Sequence, residues 1–153
     1  MMDTAMTRNK GFTVIELMAV VAIMSILAVL ALAAYSDYIV RSKVAEGMGF
    51  AAEARTSVSE YYYNTGDMPT NNAQAGLPAA DSYNRYDYLR KLELSSTDPL
   101  GVITITFKLP GSKADNKELQ LTPSTMDGIM YWRCAAPAVN GIENNQIPPS
   151  CRG

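Results

Sequence analysis

The sequence lacks histidine entirely, and only two of its 153 residues are cysteines. Histidine is the most frequent general base in enzymes and the most frequent metal ligand in proteins. Without it, a hydroxyl nucleophile has no ordinary base, and two cysteines cannot complete a zinc site. We therefore expect no enzyme activity, no catalytic residue, no metal site and no cofactor.

A surplus of basic residues is also missing. The chain has 13 Lys and Arg against 15 Asp and Glu, a formal net charge of −2. Nucleic acid and acidic lipid are bound by clustered positive charge, whereas five bases of the second half are scattered among acids: Arg90, Lys91, Lys108, Lys113 and Lys117. Gly47-Met48-Gly49 lies in a helical pattern and lacks the lysine of a phosphate-binding loop. The function should therefore reside in assembly and in surfaces.

Between residues 12 and 34 the chain has no proline and a single charge, Glu16. A helix of about 23 residues rises roughly 35 Å, and a hydrocarbon core is about 30 Å thick. Arg8 and Lys10 precede this run, so the positive-inside bias places its N-terminal end in the cytoplasm. The pattern predicts one membrane-spanning helix.

Glu16 lies about one turn inside the apolar run. A carboxylate costs roughly 2.5–3.5 kcal/mol at the bilayer centre and less near its edge, so an acid there is a functional hypothesis by default. Two other interpretations need no special role for Glu16. A secretory signal could be cleaved at Ala31-Leu32-Ala33, although the run is longer than a typical signal, and a plain anchor could let Glu16 reach the interface. Neither explains the spacing between Gly11, Phe12 and Glu16.

The two cysteines, Cys134 and Cys151, lie close together near the C-terminus. A domain that follows a span in this orientation faces an oxidising compartment, where thiols pair. We expect a disulfide between them, which should stabilise the fold by about 3 kcal/mol in the chain-entropy model.

The stretch Lys10-Gly11-Phe12-Thr13-Val14-Ile15-Glu16-Leu17 resembles the prepilin signal of type IV pilins, in particular type IVa. The resemblance implies that a prepilin peptidase cleaves between Gly11 and Phe12 and that Phe12 is then N-methylated. It also implies that Glu16 serves assembly, with residues 1–11 as the leader. Met1, Met2 and Met6 are all candidate start residues.

Beyond residue 34 the pattern predicts an α+β domain over residues 35–153. A helical stripe continues the apolar run, so one helix should span residues 12 to about 63; the stripe consists of Val40, Val44, Met48, Ala51, Ala54, Val58 and Tyr62. After Gly66 and Pro69 comes a long polar loop with many tyrosines, whose rings we expect to pack. Four alternating segments, 88–94, 102–109, 118–122 and 129–134, predict an antiparallel meander packed on the helix.

The same resemblance implies the pilin fold, with a long N-terminal helix on a four-stranded antiparallel sheet and an exposed disulfide-bounded C-terminal segment. It implies a structural subunit of a type IV pilus that serves adhesion, twitching motility or DNA uptake, and nucleic acid would be a partner only in the last case. The expected partners are other copies in a helical filament, the prepilin peptidase and methyltransferase, and the inner-membrane assembly machinery. The chain would pass from the inner membrane to the extracellular pilus. A minor pilin and a type II secretion pseudopilin remain alternatives, the latter disfavoured by Cys134 and Cys151.

Two positions depart from the family pattern. Many type IVa pilins have glycine where this chain has Ser25 and proline where it has Ala33. Proline costs a helix interior about 3 kcal/mol relative to alanine. We therefore expect a more continuous helix here, in the monomer and in the filament.

Overall fold

A computed structural model describes residues 11–152. The predicted leader, the basic pair Arg8 and Lys10, and the candidate start residues lie outside these described residues, apart from Gly11. The chain divides into two units between Tyr35 and Ser36.

One helix, α1, runs from Val14 to Thr65 over 52 residues. It is unbroken between Ser25 and Ala33, which confirms the prediction of a continuous helix for the monomer; the filament stays a prediction. Gly66 ends α1 with φ of +83°, a left-handed conformation that glycine adopts without strain, and its N–H donates to the carbonyl of Tyr62 at 2.8 Å.

Four strands form one antiparallel sheet in the order β1-β2-β3-β4. They are β1 (Leu89–Leu94), β2 (Ile103–Phe107), β3 (Glu118–Met126) and β4 (Ile129–Ala135). The meander is therefore confirmed. The predicted end of β3 before Pro123 is wrong, because β3 continues to Met126. Its pairing with β2 ends at Leu121, so Pro123 lies on a stretch with a free edge, where proline is tolerated.

The core of the second unit lies between the helix stripe and one face of the sheet. Val44, Ala51 and Val58 on α1 are fully buried, and so are the inward side chains of the central strands. Gly47 is required at this contact, because a Cβ there would lie 2.6 Å from the ring of Phe107. The predicted amphipathic stripe is thus confirmed as the core-facing side of the helix.

The long loop after α1 is held by one buried amide and by aromatic packing. The Asn72 side chain donates to the carbonyls of Pro78 and Leu92, both at 2.8 Å, and accepts the N–H of Leu94 at 2.9 Å. Tyr83 is buried edge-on against Phe50, with ring centroids 5.8 Å apart. Burial raises the pKa of Tyr83, and Glu53 raises it further. The packing of this tyrosine ring is as expected.

Candidate functional site

The first turn of α1 is closed by a reciprocal pair of hydrogen bonds. The Thr13 backbone N–H and hydroxyl both donate to Glu16 Oε2, at 2.9 and 2.7 Å. The Glu16 N–H in turn donates to Thr13 Oγ1 at 3.3 Å. This is a capping box, in which a threonine at the helix cap and an acid three residues later satisfy the free N–H groups of the first turn.

Thr13 is the site residue that sequence reasoning missed. The spacing Thr-x-x-Glu before an apolar run is itself a signal for a helix start, and it would have moved the predicted start from residue 12 to residue 14. The capping box gives Glu16 a structural role in the helix start, in addition to the assembly role that the resemblance predicts. In the isolated chain its carboxylate already has partners, so any new partner must compete with Thr13.

Gly11 and Phe12 precede the helix in non-helical backbone, and both are exposed. The peptide bond between them therefore lies outside the hydrogen-bonded helix. Backbone groups outside a helix are free to hydrogen-bond to a binding groove, which those inside a helix are not. The structure thus gathers Gly11, Phe12, Thr13 and Glu16 at one end of α1.

The apolar run that follows is exposed along its described length. The large side chains from Phe12 to Leu32 are between 47% and 84% exposed. An 18-residue window of α1 has a mean hydropathy of 2.8, with none of it buried, so the helix is long and apolar enough to cross a membrane. Such a surface needs lipid or protein to cover it.

The second predicted feature, the C-terminal segment, is closed by a disulfide between Cys134 on β4 and Cys151. Buried Ile142 and Ile147 anchor the segment in the core. The expected pairing of the two cysteines is therefore present.

Polar contacts also tie this segment to α1. Asp37 accepts from the side-chain amides of Asn145 at 3.3 Å and Gln146 at 3.1 Å, while Arg41 donates to the backbone carbonyl of Asn145. The loop between the cysteines is thus fixed at its middle as well as at its ends.

Comparison with known proteins finds matches over nearly the whole chain. The family model for pilin, a bacterial filament protein, matches residues 40–152, and the prokaryotic N-terminal methylation motif matches residues 6–32. The fimbrial protein EcpC of Eikenella corrodens is 39% identical, covering 94% of this chain and 90% of its own length. The type IV major pilin protein PilE1 of Neisseria gonorrhoeae is 35% identical, with 95% of each chain covered.

A more distant relative, the type IV major alpha-pilin of Moraxella bovis, is 34% identical over 84% of this chain and 86% of its own. The pilin match alone covers most of the chain, and the relatives match it nearly end to end. The family is structural, and its members assemble into filaments of their own copies. The chain belongs to the type IV pilin family, and it carries the family's prepilin leader, its apolar N-terminal helix and its C-terminal disulfide.

Proposed function

We propose that this pilin waits in the inner membrane, with residues 12–34 spanning the bilayer and the N-terminus in the cytoplasm, until the assembly machinery adds it to a type IV pilus. The observation that carries this proposal is the exposed apolar half of α1, which follows Gly11-Phe12 and carries Glu16 in its first turn. The same surface can be covered by lipid in the monomer and by neighbouring helices in the filament, so its transfer between the two allows extension and retraction.

The processing step follows from the first residues of this segment. A prepilin peptidase removes residues 1–11, and Phe12 becomes the new N-terminus and is methylated. Support comes from the methylation motif over residues 6–32 and from the exposed, non-helical backbone of Gly11 and Phe12. Cleavage creates a positive amine on Phe12, close to the start of the helix.

Glu16 then supplies the negative charge that pairs with the Phe12 amine. When helices pack into an apolar bundle, charges lose their hydration and are costly unless paired with an opposite charge. We infer that the Glu16 carboxylate of one subunit exchanges its bonds to Thr13 for the Phe12 amine of a neighbour. This pairing would set the stagger between subunits.

The test separates the charge of Glu16 from its capping role. Glutamine can replace glutamate in a capping box, because its side-chain oxygen still accepts the Thr13 N–H. We expect Glu16→Gln and Glu16→Ala alike to leave cleavage intact and to lower the amount of sheared surface filament at least about tenfold, since one unpaired buried charge costs several kcal/mol. Filament yield is measured at native expression, with the processed chain in membranes as reference.

If Glu16→Gln makes filaments at the wild-type level while Glu16→Ala does not, the role of Glu16 is helix capping. If both variants are normally piliated, Glu16 has no role in assembly. Either result contradicts the proposed charge pairing.

Within the pilus, the chain is proposed to serve adhesion, twitching motility or DNA uptake as a non-enzymatic subunit. A minor pilin is the remaining alternative, since its membrane segment and Glu16 would be the same. Abundance decides between them, because a major subunit dominates the sheared fraction and a minor one does not.

A further inference from the structure

The two edges of the sheet differ in how their backbone groups are satisfied. An edge strand presents a row of unpaired N–H and C=O groups, and proteins protect such edges with charges, proline, bulges or a covering group. The strand order makes β1 and β4 the two edge strands. The first of them, β1, is protected in these ways, whereas β4 is not.

The edge of β1 is covered by a side chain and carries charge. The Asn72 amide donates to the carbonyl of Leu92 at 2.8 Å and accepts the N–H of Leu94 at 2.9 Å, so it satisfies backbone groups on the outer side of the strand. The pairing of β1 with β2 is shifted between Leu89 and Lys91, and three of the six residues of β1 are charged. Another chain therefore finds no free row of hydrogen-bonding groups along β1.

The edge of β4 has few of these protections. Its seven residues include one charge, Arg133, and no proline, and its pairing with β3 is regular. The Met130 N–H donates to the Tyr63 hydroxyl at 3.0 Å, away from β3. Because alternate residues of an antiparallel strand direct their backbone groups to the same side, the N–H and C=O of Trp132 also point to the open edge. Outside the sheet, no group within residues 11–152 accepts from the Trp132 N–H.

Space for an added strand lies directly beside this edge. A groove of about 540 Å³ runs between α1 and β4. On α1 it is lined by short side chains that include Ala52 and Thr56, and on β4 by Met130 and Trp132. On the opposite face of β4, the side chains of Ile129 and Tyr131 are about half exposed. The open edge of β4 is therefore flanked by apolar side chains on both faces of the sheet.

We propose that the open edge of β4 binds an extended peptide segment of a partner protein, which adds a fifth strand to the sheet. The open backbone groups select this occupant, because the donors and acceptors of an extended peptide alternate with the same spacing. The peptide backbone pairs with the N–H and C=O of Trp132. Its side chains on one face enter the groove beside α1, and those on the other face lie next to Ile129 and Tyr131. A partner that fits carries apolar residues at alternate positions.

The experiment uses the full-length, oxidised chain in detergent micelles and a synthetic peptide of alternating valine and threonine, with a lysine at each end, as the probe. Trp132 is the only tryptophan of the chain and lines the groove, so its emission reports binding there. We expect a saturable change in this emission below about 1 mM peptide. The same peptide with alternate amides N-methylated keeps its side chains but loses backbone hydrogen bonds, so it should bind at least about tenfold more weakly.

A variant of the protein tests the groove from the other side. Ala52→Phe fills the groove with a ring and should weaken probe binding at least about tenfold. Ala45→Phe is the matched control, since Ala45 is exposed seven residues earlier on α1 and does not line the groove, and it should leave binding unchanged. Amide hydrogen exchange locates the contact: the probe should slow exchange of the Trp132 N–H and leave that of Leu94 on β1 unchanged. If Ala52→Phe lowers the unfolding midpoint, the N-methylated probe and the exchange data decide.

The proposal is overturned if the probe shows no saturable binding up to about 1 mM, or if the N-methylated probe binds as tightly as the unmodified one. It is equally overturned if a stably folded Ala52→Phe variant binds as tightly as the Ala45→Phe control, or if exchange slows at Leu94 and not at Trp132. Dimers of the chain that the probe dissociates would show that a second copy occupies the edge, and they would overturn the assignment to a partner peptide. The assay uses unassembled chain, so these outcomes leave the proposed function untouched.

Discussion

The two halves of α1 deal with apolar side chains in opposite ways. In the half before Tyr35, every described large side chain is at least 47% exposed and apolar residues occur on all sides. In the half after Ser36, the buried apolar residues form one stripe, and its members Val44, Ala51 and Val58 are fully buried. The buried apolar side chains of the second half pack against the rest of the second unit. Those of the first half are exposed and need lipid or other copies of the chain to remove them from water. The difference shows that, of the two units, only the second buries its apolar side chains within the monomer.

The largest effect that this comparison predicts concerns the disulfide, which belongs to the second unit alone. Cys134 and Cys151 are separated by 17 positions, and opening a loop of this size should lower the free energy of unfolding by about 3 kcal/mol. We expect the double variant Cys134→Ala/Cys151→Ala to show this loss in denaturant unfolding in detergent, followed by the emission of Trp132. Membrane insertion of the apolar half should stay at the wild-type level.

The wild-type chain under reducing conditions is the control for that variant, because it lacks the bridge but keeps the side-chain volumes. Unfolding midpoints that agree with the oxidised wild type would show that Ile142, Ile147 and the contacts of Asp37 hold the segment without the bridge.

The next effect uses one substitution at two places on the same helix. Val58 is fully buried and Val29 is 69% exposed. Val58→Ala removes two buried methyl groups and leaves a cavity, so we expect a loss of about 2 kcal/mol in the free energy of unfolding of the second unit. Val29→Ala should change that quantity by less than about 0.5 kcal/mol and should instead lower the yield of sheared filament.

Equal destabilisation by the two valine variants would mean that the apolar half is part of the folded unit. Normal filament yield for Val29→Ala, at matched membrane levels, would show that this position makes no packing contact in the filament.

Much of this architecture was predictable because its signals are local. The unbroken apolar run and the stripe from Val40 to Tyr62 predicted α1, and alternating residues predicted four strands. The sequence did not predict the true end of β3. Pro123 is tolerated inside the strand because the pairing of β3 with β2 ends at Leu121. Where that pairing ends depends on the register of the two strands, which no local pattern shows. The contact of Gly47 with Phe107 likewise depends on tertiary packing.

The residues of the candidate site were predictable from the sequence, but the hydrogen bonds that they make were not. Gly11, Phe12 and Glu16 stood out through the resemblance to type IV prepilins. The hydrogen bonds that join Glu16 to Thr13 went unnoticed, although their spacing is a helix-start signal. The contacts of Asp37 with Asn145 and Gln146 link positions more than a hundred residues apart, and no local pattern carries them.

The most direct test of the account is the intact mass of the protein in sheared surface filaments, compared with the protein left in membranes. The account predicts that the sheared fraction is dominated by a chain that begins at N-methylated Phe12 and is lighter by two hydrogens for the Cys134–Cys151 bridge. A chain that begins at Ala34 would contradict it, because residues 12–33 would then be a discarded secretory signal and no apolar helix would remain to build a filament.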